Sequence, residues 1–444
     1  MEARWYQEEA VEALMRDLND APLIESCGGM VHPLVVAPTG SGKSFMICEF
    51  IDEFLSKFPF ANILVLSHIQ EILEQDFDAL EEYFEYVPIG LYSAGLESRI
   101  IKKITVAGIH SVYRKPELFE DFQIVIIDEC HLVNHKDSGM YREFLGNLDA
   151  AYIGFTATHF RLGHGYIHKG EGALFNHISY DISSPDIFNR LVSEGYLARL
   201  ITKGTIQVLN PDGCKRRGKL GDWIPKSLSG KLDRPAITQM ACREIVEFGA
   251  NYKRWLIFAI DIEHAEHVTK ELLSLGVNVE CIHSKMGGDR KEIVRRYKRG
   301  EIQALVNVEM LTTGLDVPDI DLIAILRPTC SPVLHVQTIG RGLRPHPNKD
   351  HCLVLDFAGN IDRLGPINQV KIQEPGMKTK GEGPAPMKQC PECMVHAFPA
   401  QKFCEVCGHE FEFRTNLTTS ASVSDVVAGK SLPKGPNWYK VTGV

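Results

Sequence analysis

Ala37-Pro-Thr-Gly-Ser-Gly-Lys-Ser44 is the stretch that decides the fold. It follows the β-branched run Leu34-Val-Val36 and precedes an amphipathic segment, Phe45–Leu55, so its glycines lie between a strand and a helix. In that setting Thr39, Gly40, Ser41 and Gly42 can turn backbone N–H groups onto a phosphate at a helix N-terminus, where the helix dipole favours negative charge. Lys43 would neutralise β- and γ-phosphate charge, and the Ser44 hydroxyl would reach Mg²⁺. Ala37 stands where the usual pattern begins with glycine, which leaves a flexible loop with a chance lysine as the alternative.

The grammar of that segment, a short apolar run, a Gly/Ser/Thr-rich turn and an amphipathic stretch, repeats along two parts of the chain. The first carries strand candidates Leu34–Ala37, Ile63–Ser67, Ile104–Ala107, Ile124–Asp128 and Ala151–Thr156. The second carries Trp255–Ala259, Val277–Ile282, Ala304–Asn307, Leu322–Leu326 and Cys352–Asp356. These runs are apolar throughout rather than alternating, as strands buried on both faces of a parallel sheet must be. Two doubly wound α/β domains follow. Between them, 204–235 mixes turn signals without clear periodicity and reads as a connector. The Pro- and Gly-rich stretch 374–389 reads as an extended linker. The expected division is 1–185, 186–372, a linker over 373–389, a cysteine-rich unit over 390–414 and a polar, partly disordered tail over 415–444.

A chain of 444 residues exceeds one small domain, and 44% hydrophobic with 24% charged residues is a globular composition. Acidic residues number 57 against 48 basic ones, so the net charge of −9 excludes a uniformly basic nucleic-acid coat and leaves room only for a local basic groove. No apolar run approaches the roughly 18 residues needed to span a bilayer. The start, Met1-Glu-Ala-Arg4, lacks the basic-then-apolar order of a secretory signal, which predicts a cytosolic protein with reduced thiols.

Asp128-Glu-Cys-His131 closes the run Ile124-Val-Ile-Ile127 and places two carboxylates at a sheet's C-terminal edge, where open α/β folds bind ligands. Asp128 would hold Mg²⁺ through water, and Glu129 would orient and deprotonate the attacking water. A helix N-cap is the bland alternative for either carboxylate, although the upstream loop argues against it. Cys130 reads as a small buried filler.

In this order the motifs resemble those of a superfamily-two helicase over about Arg4 to Asn360. The resemblance implies two RecA-like domains, ATP with Mg²⁺ in the cleft between them, and DNA as the partner. Phe155-Thr-Ala-Thr158 is similar to the motif that couples hydrolysis to strand movement, so Thr156, Thr158 and His131 are implied as coupling residues. Arg4-Trp-Tyr-Gln7 resembles the upstream adenine-reading motif, with Gln7 at the base. Asn307-Val-Glu-Met-Leu-Thr-Thr-Gly-Leu-Asp-Val-Pro318 resembles the fifth motif, with Gly314 and Asp316 sensing closure. Gln337-Thr-Ile-Gly-Arg-Gly-Leu-Arg344 resembles the sixth, which implies that Arg341 and Arg344 reach the γ-phosphate and that Gln337 touches the phosphate region or the water. Arginine's planar, permanently charged fork suits that task. A narrower likeness, carried by Phe160-Arg-Leu-Gly163, the string from Leu311 to Thr329 and Asp356-Phe-Ala-Gly-Asn360, is to RadD-type helicase-like proteins of bacterial DNA repair and their phage relatives. His159 departs from that pattern, which has proline after Thr-Ala-Thr.

For nucleic acid the resemblance implies Ser67, His68, His110, Ser111 and Thr312, contacting phosphates and therefore insensitive to sequence. Small hydroxyls at strand ends are also common turn caps. The basic stretch Arg290–Arg299 reads as a solvated helix back, and Lys215-Arg-Arg-Gly-Lys219 as a loop-borne phosphate contact.

Cys390-x-x-Cys393 and Cys404-x-x-Cys407 form two knuckles with ten residues between them. Four thiolates fill a tetrahedral Zn²⁺ site with no open position, so a structural zinc ribbon is expected, with a redox dithiol pair as runner-up. Phe398, Phe403, Phe411 and Phe413 are its expected miniature core. The activity expected is nucleic-acid-stimulated ATP hydrolysis by a monomer that translocates on or remodels DNA in repair, recombination or phage DNA metabolism. A duplex translocase without unwinding and an ATP-gated scaffold for DNA or a repair or replication partner are the alternatives.

Overall fold

The computed structural model describes residues 3–19, 31–133, 139–170, 172–218, 220–286, 289–308, 317–372, 388–393, 395–397, 401–404 and 406–411. In the first lobe the order is α1 (Trp5–Asn19), β1 (Pro33–Val36), α2 (Lys43–Lys57), β2 (Ile63–Ser67), α3 (Gln70–Tyr83), β3 (Ile89–Ser93), β4 (Ser98–Arg99), β5 (Ile104–Gly108), α4 (Ile109–Val112), β6 (Ile124–Asp128), α5 (Met140–Leu145) and β7 (Ala151–Thr156). A small hairpin, β8 (Phe160–Arg161) with β9 (Gly165–Tyr166), then β10 (His177–Asp181) and α6 (Pro185–Ser193) complete it. The second lobe runs β11 (Arg199–Lys203), α7 (Pro225–Leu232), α8 (Pro235–Gly249), β12 (Trp255–Phe258), α9 (Ile262–Ser274), β13 (Val279–Ile282), α10 (Asp289–Lys298), β14 (Ala304–Asn307), β15 (Leu322–Ile325), α11 (Pro332–Gly340), β16 (His351–Asp356) and α12 (Asn360–Leu364).

Each lobe is a doubly wound sheet. The first has the order β10-β1-β7-β6-β2-β5-β3-β4, parallel except for β4, and the second is wholly parallel in the order β11-β16-β15-β12-β14-β13. The central strands β1, β2 and β6 are buried at every residue, the reason their sequences carry no alternation. Helices α1 and α2 close one face with Tyr6, Leu14, Met46, Phe50 and Phe54; Phe119, Phe144 and Phe175 fill the other. Because β1, β7 and β6 are neighbours in register, with Val36 opposite Thr156 and Asp128 opposite Phe155, three motif-bearing loops leave the sheet side by side.

The connector is more structured than its composition predicts. It contains α7, whose Leu228 and Leu232 lie in the second core, and Asp222 accepts the Thr329 hydroxyl (2.6 Å) and the Cys330 N–H (2.7 Å). Turn-forming Ser227, Ser229 and Gly230 disguise this helix in the sequence. The chain crosses between lobes at Leu197–Arg199: Phe188 and Leu191 of α6 belong to the first core, while β11 pairs with β16. Leu343 of the second lobe packs into the first core, and its carbonyl accepts the Ala198 N–H at 2.7 Å.

A third, small unit pairs β17 (Lys388–Gln389) with β18 (His396–Ala397). Its Val395 forms an antiparallel bridge to Lys203, on the outer edge of the second sheet. No helix of the described residues is long and apolar enough to cross a membrane.

Candidate nucleotide site

The loop after β1 turns on two left-handed glycines, Gly40 (φ +91°) and Gly42 (φ +83°), the latter at the start of α2. Only glycine enters that region without strain. Ser41 is fully buried; its hydroxyl donates to the Pro38 carbonyl (2.8 Å), and its own carbonyl accepts from Tyr6 OH (3.0 Å) and Gln7 Nε2 (2.9 Å). Gln7 Oε1 in turn accepts the Arg4 N–H at 3.0 Å. The adenine-motif residues therefore brace the phosphate loop itself, and Tyr6 joins them although sequence reasoning singled out only Arg4 and Gln7.

Lys43 Nζ lies 3.1 Å from Asp128 Oδ1 and also pairs with Glu129. Burial alone would lower the ammonium, but Asp128 and Glu129 outweigh it and hold the Lys43 pKa above its ordinary range. Burial pushes the Asp128 carboxyl up more than Lys43 draws it down. At Glu129 burial acts the same way but loses to Lys43 and His131, which hold that carboxylate below its usual range. Held ionised, Glu129 offers carboxylate oxygens that can accept a hydrogen bond from a water and so align it. Its backbone is left-handed (φ +48°), rare for a residue with a side chain, and its N–H donates to Asp128 Oδ1 at 2.8 Å.

His131 is buried and links this cluster to the second lobe. Its Nδ1 lies 3.1 Å from Glu129 Oε2 and 2.9 Å from Thr156 Oγ1, and its Nε2 is 3.3 Å from Gln337 Nε2 on α11. An amide Nε2 can only donate, which makes the imidazole Nε2 the acceptor and places the proton on Nδ1, toward Glu129 and Thr156. Thr156 Oγ1 also accepts the Thr158 N–H at 3.0 Å, so both threonines join the same network. On the facing lobe Arg341 is buried at the end of α11. Arg344 lies against the loop: a Cβ built on Gly40 would stand 3.1 Å from its Cγ. Gly314, Asp316 and Thr312 lie outside the described residues.

The turn after Thr158 is fixed by β8 and β9. His159 stacks on Tyr166 at 5.3 Å, and its carbonyl accepts the Ile167 N–H at 2.9 Å, so histidine fills the place where the RadD-type pattern has proline. Among the nucleic-acid candidates, His68 and His110 lie together with ring centroids 4.6 Å apart, and His110 is exposed. Ser67 is buried with its hydroxyl near Ile69, and Ser111 Oγ accepts the Ala94 N–H at 2.9 Å, so both also serve local turns. Lys215, Arg216 and Arg217 are exposed on the loop before α7.

The oxygen donors Ser44, Asp128 and Asp76 suit Mg²⁺, a hard cation that keeps several waters. The sulfur atoms of Cys390, Cys393, Cys404 and Cys407 lie within 4.8 Å of one another. Tetrahedral Zn²⁺ with bonds of about 2.3 Å needs sulfur separations of about 3.8 Å, so the set fits. Burial raises the Cys404 thiol, but N–H groups of Cys407 and Val406 win and bring it to about 7, favouring thiolate. Phe411 is buried in this unit as expected; Phe403 is 54% exposed and is not part of its core, and Phe398 and Phe413 lie outside the described residues.

Residues 1–161 match the family model of the type III restriction enzyme res subunit, and residues 238–346 match the helicase conserved C-terminal domain. The chain belongs to helicase superfamily two. Its lobes are the two RecA-like domains of that superfamily. Relatives include IRC3 of Saccharomyces cerevisiae, named as an ATP-dependent helicase (25% identical, 80% of this chain, 51% of that one). A 51.5 kDa protein of a Lactococcus phage is 27% identical over 85% of this chain and 78% of its own. The DNA 3'-5' translocase XPB2 of Sulfurisphaera tokodaii is 25% identical over 82% of this chain and 83% of its own. The chain thus spans about half the length of the IRC3 protein. Among solved structures, an HsdR-type fragment of a type I restriction enzyme from Vibrio vulnificus shares the fold with a TM-score of 0.56 at 19% identity, covering 80% of this chain and 64% of that one.

Proposed function

We propose that this superfamily-two protein is a nucleic-acid-stimulated ATPase that couples hydrolysis in the interlobe cleft to translocation on, or remodelling of, DNA. The observation that carries the reading is the continuous path from Lys43 through Glu129 and His131 to Gln337, with Arg344 against Gly40. The lysine would leave its carboxylates for the β/γ-phosphates. Glu129, held ionised, would orient the attacking water and take its proton. Arg341 and Arg344 would meet charge spreading over the transferring phosphoryl oxygens. Mg²⁺, held by Ser44 and through water by Asp128, supplies charge neutralisation when bound. Because His131 reads both Glu129 and Gln337, a change at the γ-position is felt across the cleft.

DNA would run along the lobes past Ser67, His68, His110 and Ser111, with Thr312 and the Lys215–Arg217 loop contributing phosphate contacts. Zinc held by the four cysteines would make the terminal unit a structural ribbon. The RadD-type likeness rests on sequence strings alone; the relatives found span IRC3, XPB2 and restriction motors, so repair or phage DNA metabolism is the level at which the role is proposed. The XPB2 match extends over most of both chains and is to a protein named as a DNA translocase, so translocation on duplex DNA without unwinding is kept as the second reading. Phosphate release from ATP, measured with single-stranded, duplex and forked DNA and with RNA, tests the proposal. Stimulation by DNA that Lys43→Ala abolishes is expected; a wild-type protein silent with every ligand refutes it. Triplex displacement without strand displacement would select the duplex translocase.

A further inference from the structure

On α3 the buried positions are Ile72, Leu73, Asp76 and Leu80, so a carboxylate occupies the apolar stripe that docks the helix onto the sheet. Asp76 is 2% exposed. Its Oδ1 accepts the Ser44 hydroxyl at 3.1 Å, and its Oδ2, also buried, has no hydrogen-bond partner. The nearest ammonium, Lys43, is already engaged by Asp128 and Glu129, so three carboxyls share one cation in this corner of the lobe. A buried carboxyl oxygen without a partner opposes folding whatever the group's charge, because nothing replaces the water it gave up. A bound water or a hydrated ion is one way such a group is satisfied in a native interior.

We propose that Asp76 is a positioning residue for the nucleotide's metal ion: Oδ1 fixes the Ser44 hydroxyl, and Oδ2 accepts a hydrogen bond from a water of the hydrated Mg²⁺. With its proton directed to Asp76, the Ser44 oxygen presents its lone pairs to the metal and gains basicity, the role that outer carboxylates play at other metal centres. A helix that carries no phosphate-loop residue would thereby help to hold the hydrated Mg²⁺. The inference rests on the ATPase reading given above.

The test uses the full chain, with Mn²⁺ as the spectroscopic probe. Mn²⁺ is titrated into the ADP-bound protein and followed by electron paramagnetic resonance, and ADP affinity is measured separately in EDTA. Asp76→Asn and Asp76→Ser are expected to weaken Mn²⁺ binding about tenfold or more, to leave metal-free ADP affinity within about twofold, and to leave urea stability in EDTA equal or higher. Excess Mg²⁺ should restore hydrolysis in both. Mn²⁺ affinity within twofold of the parent in either folded variant overturns the assignment, as does a loss of metal-free stability in both variants with no metal-specific effect, which would make Asp76 a packing residue. A parent protein that binds no Mn²⁺·ADP would instead refute the ATPase reading itself.

Discussion

Replacing Gly42 by alanine probes how the N-terminal motif holds the phosphate loop. At φ +83° an alanine meets about 1–2 kcal/mol of left-handed backbone strain. Its Cβ would also stand 2.5 Å from Gln7 Nε2, far inside contact distance. The amide must withdraw and give up its 2.9 Å bond to the Ser41 carbonyl, which adds about 1 kcal/mol. Gly42→Ala should therefore destabilise the nucleotide-free first lobe by about 2–3 kcal/mol. Gln7→Ala should destabilise it by about 1 kcal/mol through the same bond. The two losses share one interaction, so the double variant should be no less stable than Gly42→Ala alone, with a coupling of about 1 kcal/mol. Urea unfolding followed by tryptophan fluorescence measures all four proteins. Strict additivity would refute the reasoning, because it would mean that Gln7 does not lie over Gly42.

Other expectations concern the cleft, pH and the thiols. Gln337→Ala removes one buried interlobe bond of about 1 kcal/mol and should lower DNA-stimulated kcat about fivefold with nucleotide affinity changed less than twofold, read by steady-state hydrolysis and nucleotide titration. Burial pushes His335 down to about 4 while its Nε2 donates to the Gly365 carbonyl. The unfolded chain binds the extra proton between pH 4 and 6.5, so this stabilisation is complete above pH 6.5 and disappears toward pH 4. It amounts to about 3 kcal/mol, which His335→Gln should remove from the acid-side slope of urea stability. Elemental analysis should find one zinc per chain, and Cys404→Ser should lose it.

What the sequence disclosed follows burial. Strands such as Ile63–Ser67 and Ile124–Asp128, covered on both faces, appear as unbroken apolar runs and lie where they were expected. The outer strands β10, His-Ile-Ser-Tyr-Asp, and β11, Arg-Leu-Ile-Thr-Lys, are only partly buried and carry no such signal. The loop and the Asp-Glu box are legible because their chemistry demands fixed residues at fixed spacing. The His131–Gln337 contact joins residues 206 apart in sequence, which no local pattern encodes. Asp76 carries a signal of its own, an acid at the spacing where α3 otherwise buries Ile72, Leu73 and Leu80.

The bridge between Val395 and Lys203 gives the cysteine unit a duty separate from any grip on a partner. β11 ends the second sheet, and the open side of an end strand is a template for pairing with another chain. The terminal hairpin obstructs that side at Lys203, so whatever keeps the four sulfurs gathered also guards a sticky margin. Displacing those thiols should therefore bare the open side of β11 at Lys203.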